Sequence, residues 1–231
     1  MVDGVDGSGK STVVAAWKKY LSEQGNAIFD LRHYLKENDH YPESHEMRAY
    51  DFIFSAEPTY TGIGKVLREE LINKNNNYSA LSIAHGYSLD RLVLYTKTLL
   101  PLLKDGKFII QDRGVSSSLA YQPAQDPNLT LDILSQMPGN QLALENCPDH
   151  LVIVKVNEQT AVDRLNGRTD KQDDSIFEKQ EFLKKLVAQY DNPEFQNVFK
   201  KRGTQIHYLS GEEKIGIMEE QSINLLKKLL K

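Results

Sequence analysis

The chain has 231 residues, enough for one large domain with a sizeable core. A net charge of −4 gives no general electrostatic reason to bind a nucleic acid polymer or an anionic membrane, and no apolar run approaches the roughly 20 residues of a membrane span. The single cysteine, Cys147, excludes an internal disulfide and no Cys/His grouping has zinc spacing, so the sequence reads as a protein of the reducing cytoplasm.

The first informative stretch is Gly4-Val5-Asp6-Gly7-Ser8-Gly9-Lys10-Ser11-Thr12, which holds the pattern G-x-x-x-x-G-K-[ST] from Gly4 to Ser11. A loop of this composition turns backbone N–H groups onto phosphate oxygens, sets an ammonium beside the outer phosphates and offers a hydroxyl to Mg²⁺. Gly4, Gly7 and Gly9 are the positions that need positive φ or a close approach to the ligand. Behind the loop, Val13, Val14, Ala15, Ala16, Trp17, Tyr20 and Leu21 give a helical apolar face, so the loop opens onto a helix N-terminus that favours anions. Only Met1, Val2 and Asp3 precede Gly4. The strand from which such a loop hangs is therefore expected to be a stub, or the natural chain to begin further upstream.

Gly25-Asn26 ends the helix, and 27–31 reads as a strand. The segment 32–50 is rich in charge and carries His33, His40 and His45 without ligand spacing, so it reads as a solvated insert. Phe52-Ile53-Phe54-Ser55 is a strand running into the turn-rich Glu57-Pro58-Thr59-Tyr60-Thr61-Gly62. A helix from Gly64 puts Val66, Leu67, Leu71 and Ile72 on one side and Lys65, Arg68, Glu69 and Glu70 on the other, and the polar patch 73–77 is a loop. The helix over 79–100 is too apolar for a free surface and sets Tyr87 and Arg91 at i and i+4 on one face. That pair reads either as two ligand contacts or as a ring packed on an arginine stem.

Asp105-Gly106 turns the chain into a buried strand, Lys107-Phe108-Ile109-Ile110-Gln111, which ends in Asp112-Arg113. A carboxylate at the carboxyl end of a parallel strand suits a Mg²⁺ shell beside a phosphate loop, and Arg113 suits a phosphate clamp. Another buried strand spans 150–156, followed by a short helix to Leu165. Arg164, Arg168 and Lys171 fall in a polar stretch, about 164–176, that reads as a lid carrying cations to a transferring phosphoryl group or as a solvated loop. Ser175-Ile176-Phe177-Glu178 is a capping box for a helix through Phe182, Leu183, Leu186, Val187 and Tyr190. A strand at 205–209 and a helix over 214–230 close the chain. The repeated β-α pattern with buried strands predicts a P-loop NTPase fold, a three-layer α/β/α domain over 1–231 with a central parallel sheet, a lid at 164–176 and an insert at 32–50.

Asp112-Arg113-Gly114-Val115-Ser116-Ser117-Ser118-Leu119-Ala120-Tyr121-Gln122 resembles the signature D-R-Y-x-x-S-S-x-A-Y-Q of the thymidylate kinase family of P-loop nucleoside monophosphate kinases. Gly4 to Thr12 resembles that family's D-G-x-G-K-[ST]-T loop, Glu57-Pro58 its E-P turn, and Tyr87 to Arg91 its aromatic-x-x-D-R helix. Pro148-Asp149 and the region from Arg164 to Tyr190 resemble its P-D-L and lid segments, so ordered motifs span most of the chain. The resemblance implies ATP- and Mg²⁺-dependent phosphorylation of a deoxynucleoside monophosphate, dTMP to dTDP, by a cytoplasmic homodimer. By position it implies Lys10 on the β- and γ-phosphates, with Gly4, Gly7, Ser8, Gly9, Ser11 and Thr12 around the donor and Ser11 and Asp112 at Mg²⁺. It further implies Asp6 at the sugar hydroxyl or a metal-bound water, Arg113 at the acceptor phosphate, and Tyr87 and Arg91 at the face and edge of the base. Glu57, Ser118, Tyr121 and Gln122 would line the acceptor pocket.

Several positions depart from the family pattern. Gly7 stands where some members carry a loop arginine, which assigns that charge to Arg164 or Arg168. Ala56 replaces the arginine that commonly precedes E-P and helps grip the acceptor phosphate, Gly114 replaces the aromatic after D-R, and Pro123 replaces a frequent glycine. The stretch from Lys10 to Glu57 is longer than usual by roughly two dozen residues, as surface insertions are. These departures leave open a related kinase for another deoxynucleotide or nucleoside, or a catalytically weak nucleotide-binding module.

Overall fold

A computed structural model describes residues 1–73, 75–167 and 180–231. Its strands are β1 (Val2–Asp3), β2 (Ile28–Asp30), β3 (Phe52–Ala56), β4 (Phe108–Asp112), β5 (His150–Lys155) and β6 (Gln205–Ser210). They form one parallel sheet in the order β2-β3-β4-β1-β5-β6. The two-residue β1 lies inside that sheet, where Val2 pairs with Asp112 on one side and Val152 on the other.

The helices are α1 (Lys10–Glu23), α2 (Leu31–Asn38), α3 (Gly62–Val66), α4 (Ala80–Leu94), α5 (Leu100–Lys104), α6 (Val115–Gln125), α7 (Leu131–Ser135), α8 (Pro138–Glu145), α9 (Glu158–Asn166), α10 (Gln180–Asp191), α11 (Pro193–Lys200) and α12 (Ile215–Leu229). Strand residues alternate between two cores, as a sheet covered on both faces requires. Phe52, Phe54, Val152 and Val154 meet Val13, Trp17 and Leu21 of α1 and Met218 and Leu226 of α12. Ile53, Leu151 and Ile153 face the other way, toward Ile83, Leu119, Leu144, Leu186 and Phe195 from α4, α6, α8, α10 and α11. This is the three-layer arrangement expected from the sequence.

The helix expected over 79–100 is longer and not uniform. After α4 the chain takes a wider π-helical turn, Tyr95–Leu99, and continues as α5 to Lys104. Pro101 lacks an N–H and its ring crowds the carbonyl four residues back, which a wider turn relieves without ending the rod. In the segment 32–50, α2 and a short 3₁₀ turn bury Met47 completely and Leu35 almost so, with Leu31 just ahead also fully buried. The helices α7, α8 and α11 are additional to the elements expected from the sequence. They begin at Thr130, whose hydroxyl caps Ile133, and at Pro138 and Pro193 in the first turn. The capping box Ser175-Ile176-Phe177-Glu178 lies outside the described residues, and α10 is described from Gln180. No helix among the described residues is long and apolar enough to cross a membrane.

Packing of α8 on α4 holds the acceptor-side helix in place. The Gly139 N–H donates to Ser88 Oγ at 3.0 Å, and a Cβ at Gly139 would overlap the Ser88 carbonyl oxygen. Gly139→Ala is expected to push the two helices apart and lower stability by about 1–3 kcal/mol, a drop of several degrees in melting temperature. A melting curve matching the wild type would show that the contact yields without cost.

Candidate active site

Beyond β1 the chain wraps back on itself with positive φ at Gly4, Gly7 and Gly9: 143°, 80° and 100°. At Gly7 a Cβ would lie 2.6 Å from the Ala161 carbonyl oxygen of α9, so both backbone and packing require glycine. Gly9 leads into α1, and its carbonyl accepts from the N–H groups of Thr12 and Val13 at 3.0 and 3.2 Å. The N–H groups of Lys10 and Ser11 find no acceptor among the described residues, and a helix start with free donors is an anion cradle. Lys10 Nζ folds back onto the carbonyls of Gly4 (2.9 Å) and Val5 (2.7 Å). Burial, with the like charge of Arg113 second, lowers its pKa to about 8. Ser8 is fully buried, and its hydroxyl has no partner among the described residues.

The loop walls one side of a cleft of about 190 Å³ that Arg32, Ala56, Glu57, Tyr60, Arg68, Asp112 and Arg113 complete. Its free N–H groups and desolvated ammonium fit a polyphosphate, and the Ser11 hydroxyl with the Asp112 carboxylate fits a Mg²⁺ ion. A larger cavity, about 650 Å³, opens at the other end of the sheet among Phe108, His150 and Gln205, the first residues of their strands. It contains no residue of the phosphate loop. The smaller cleft is the site, because open parallel sheets present ligands at the carboxyl ends of their strands.

Asp3 is fully buried at the end of β1. It accepts from the Gly4 N–H at 2.8 Å, the Ser117 hydroxyl at 2.9 Å, the Tyr190 hydroxyl at 2.8 Å and the Ser116 hydroxyl, and so ties the loop to α6 and α10. Arg113 leaves β4 with a φ of 65°, uncommon for a residue with a side chain, and its N–H bonds the Val2 carbonyl at 2.9 Å. Its guanidinium pairs with Asp6 and donates to the Tyr121 hydroxyl at 3.0 Å, which in turn donates to Asp6 at 3.1 Å. Burial opposes the charge on Arg113, but Asp6 and Asp3 outweigh it and keep the group protonated.

Behind the cleft Arg91 and Glu57 form an ion pair of 2.6 Å, their side chains only 1% and 3% exposed. Gln111 donates to Glu57 at 2.7 Å, and Arg91 also donates to Ser118 Oγ at 3.1 Å and to Asn140 Oδ1. Burial pushes the Glu57 carboxyl up to about 7 against the pull of Arg91. Next to Arg91, Asp90 accepts from the Thr59 N–H (2.7 Å) and hydroxyl (2.6 Å), which fastens the Glu57-Pro58 turn to α4. Tyr87 is half-buried one turn earlier. Burial pushes its hydroxyl up to about 12, and Arg113, Arg68 and Asp6 lie within electrostatic reach of it.

Of the residues read from the sequence, Asp6, Gly7, Gly9, Lys10, Ser11, Glu57, Asp112 and Arg113 converge on the cleft, and Tyr121 joins them through Arg113. Arg91 and Ser118 are engaged in the buried cluster, and Gln122 is buried with no partner for its side-chain oxygen among the described residues. Arg164 reaches the loop, its guanidinium donating to the Gly7 carbonyl at 3.3 Å. Arg168 lies outside the described residues, as does the stretch 168–176 of the expected lid. At Gly114 a Cβ would meet the flexible end of the Met1 thioether, so a side chain there would require Met1 to move.

Sequence reading missed Asp3, Arg32, Tyr60, Arg68 and Tyr190. The position of Asp3, the last strand residue before the loop, was the one available signal. Arg32 gave none, because its partners Asp112 and Tyr60 are distant in sequence.

A parallel sheet with a phosphate loop after its central strand, facing an arginine-lined pocket, defines a P-loop phosphotransferase. The family model described as thymidylate kinase matches residues 42–221, and the chain belongs to the thymidylate kinase family. That match begins downstream of the loop, whose assignment stands on its own geometry. Curated relatives include the probable thymidylate kinase of Thermococcus onnurineus, 28% identical over 196 residues that cover 82% of this chain and 80% of the relative. The thymidylate kinase of Thermosipho africanus is 29% identical over 190 residues, covering 81% and 80%. That of Halothermothrix orenii is 27% identical over 177 residues, covering 76% and 72%.

Two measurements probe the charges. Removing the guanidinium in Arg91→Ala strands a buried carboxyl and is expected to cost about 3 kcal/mol or more of stability. In that variant folded Glu57 keeps its proton above the value of about 7 that it has beside Arg91, while the unfolded chain releases it in both proteins, so the loss should grow as the pH rises above about 7; a loss that shrinks there would rule out Glu57 as the stranded group. For Lys10, kcat/KM toward the donor is expected to fall above about pH 8 as the ammonium of the free enzyme deprotonates. Lys10→Arg, slower overall, should lose that limb; a limb that persists would assign it to another group.

Proposed function

We propose that the chain transfers the γ-phosphoryl group of ATP to dTMP, giving dTDP. What carries this reading is the cleft in which the Lys10 cradle faces Asp112 and Arg113 across about 190 Å³, in a member of the thymidylate kinase family. Phosphoryl transfer requires in-line positioning and neutralised charge, and no covalent nucleophile from the protein. The N–H groups of the loop hold the donor phosphates, and Lys10 moves from the carbonyls of Gly4 and Val5 to their oxygens. Arg164, already at the Gly7 carbonyl, adds the charge that the loop lacks. On the opposite wall Arg113 takes the acceptor phosphate, with Asp6 and Tyr121 setting its direction. Mg²⁺, held by Ser11 and Asp112, would neutralise phosphate oxygens. Tyr87 packs beneath the base, and the Glu57–Arg91 pair supports the floor of the acceptor pocket together with Ser118 and Gln122.

A second acceptor remains in view because Arg91 is committed to Glu57, Ser118 and Asn140, which leaves less of it for a pyrimidine edge. The chain would act in the cytoplasm as a homodimer. Exposed Leu81 and Leu89 on one stripe of α4 support such a contact. Coupled ADP release across dTMP, dUMP, dCMP, dGMP and thymidine is the test, with dTMP expected to give the highest kcat/KM. Turnover of another acceptor with none of dTMP would replace the substrate. Lys10→Ala is expected to lower kcat about 10²-fold or more and to change dTMP affinity little.

A further inference from the structure

Three cations meet one aromatic ring at the mouth of the cleft. The Arg68 guanidinium lies 3.8 Å from the centre of the Tyr60 ring, the Lys36 ammonium 4.4 Å and the Arg32 guanidinium 5.6 Å. Arg68 is spent on the chain itself, donating to the carbonyls of Thr59 (3.1 Å) and Pro58. Lys36 is exposed and makes no ion pair among the described residues. Among the described residues Arg32 has one carboxylate contact, a single nitrogen 3.5 Å from Asp112, looser than the 2.6 Å pair of Arg91 with Glu57. Most of its donors find no acceptor among those residues.

Its placement is built. Arg32 stands in the first turn of α2, which starts where β2 ends, at the carboxyl edge of the sheet. Leu31 and Leu35, both buried, anchor the helix, and the Asp30 carboxylate caps it through the His33 N–H at 3.0 Å and binds Lys18 at 2.6 Å. Across the cleft wall stands Ala56, which brings no charge. Like charges gathered on one ring repel, and cation–π attraction at an exposed site is weak, so the cluster is most stable with an anion among them. A phosphate set between Arg113 and Tyr60 would be that anion.

We infer that Arg32, with Lys36 beside it, grips the phosphate of the acceptor nucleotide and sets the preference for a monophosphate over a nucleoside. The inference rests on the acceptor being a nucleoside monophosphate, whatever its base. The test compares wild type with Arg32→Gln and Arg32→Lys, using the monophosphate that the wild type phosphorylates fastest. Steady-state kinetics are paired with calorimetric binding of that monophosphate and its nucleoside, and melting curves check that each variant is folded.

Arg32→Gln is expected to raise the acceptor KM by about tenfold or more, to keep the ATP KM within about twofold, and to erase the binding preference for the monophosphate. Arg32→Lys should restore most of the loss. An acceptor KM within about twofold of wild type, or equal losses toward acceptor and donor, would overturn the role of Arg32 and leave the phosphoryl-transfer reading standing. Wild-type use of another monophosphate in place of dTMP corrects the base and still supports Arg32 if its variant shows the KM effect. A wild type that accepts only nucleosides sinks both.

Discussion

The site depends on one buried carboxylate. Burial of an isolated charge of this kind would be prohibitive, and Asp3 is tolerable because backbone, two serines and a tyrosine all donate to it, with Arg113 4.0 Å away. Those donors come from the loop, the first turn of α6 and the end of α10, so satisfying one charge fixes three elements at once. With β1 only two residues long, few ladder bonds anchor the loop to the sheet. Asp3 makes up the anchoring through side chains, and the cradle of Lys10 and Ser11 inherits its position from there.

Two arginine clusters of different character sit on this frame. The Glu57–Arg91 pair is sealed, hydrogen-bonded on both partners and remote from solvent, so it behaves as a fixed part of the core. The Asp6–Arg113–Tyr121 cluster keeps about a fifth to a quarter of its charged side chains open, and its partners can be exchanged when an anion arrives. The left-handed turn at Arg113 is what separates them: it takes the chain out of β4 and points the guanidinium toward the cleft, a strained conformation held by the bond to the Val2 carbonyl. The rigid pair supports the pocket wall, and the exchangeable one is the part open to an incoming anion.

The repeated β-α pattern, the glycine loop and the buried runs of β3, β4 and β5 were legible because each is a local signal with a physical cause. Partners were not legible. From its i,i+4 spacing with Tyr87, Arg91 reads either as a ligand contact or as a stem beneath the ring, yet its strongest neighbour is Glu57, brought in by the sheet. The segment 32–50 reads as a solvated insert because charge dominates it, while the apolar residues that decide its packing are few: Leu31 and Leu35, one turn apart in α2, and Met47 in the following 3₁₀ turn. Asp3 looks like the last residue of a strand, and only tertiary structure reveals the ring of donors that makes a charge there affordable.

Charge in this cleft belongs to a place in space more than to a place in the sequence. Position 7 cannot hold an arginine, since its backbone is left-handed and its Cβ would strike α9, and the same α9 sends Arg164 to the Gly7 carbonyl. Position 56 is an alanine, and α2 brings Arg32 into the same cleft. In both cases the helix that supplies the cation carries a fully or almost fully buried apolar residue, Ala161 in one and Leu35 in the other. A transferring phosphoryl group responds to field and distance, not to the chain segment from which a guanidinium comes. Motif positions can therefore drift while the electrostatics of the site persist, and an absent motif residue is weak ground for calling such a chain inactive until the surrounding helices have been searched for its charge.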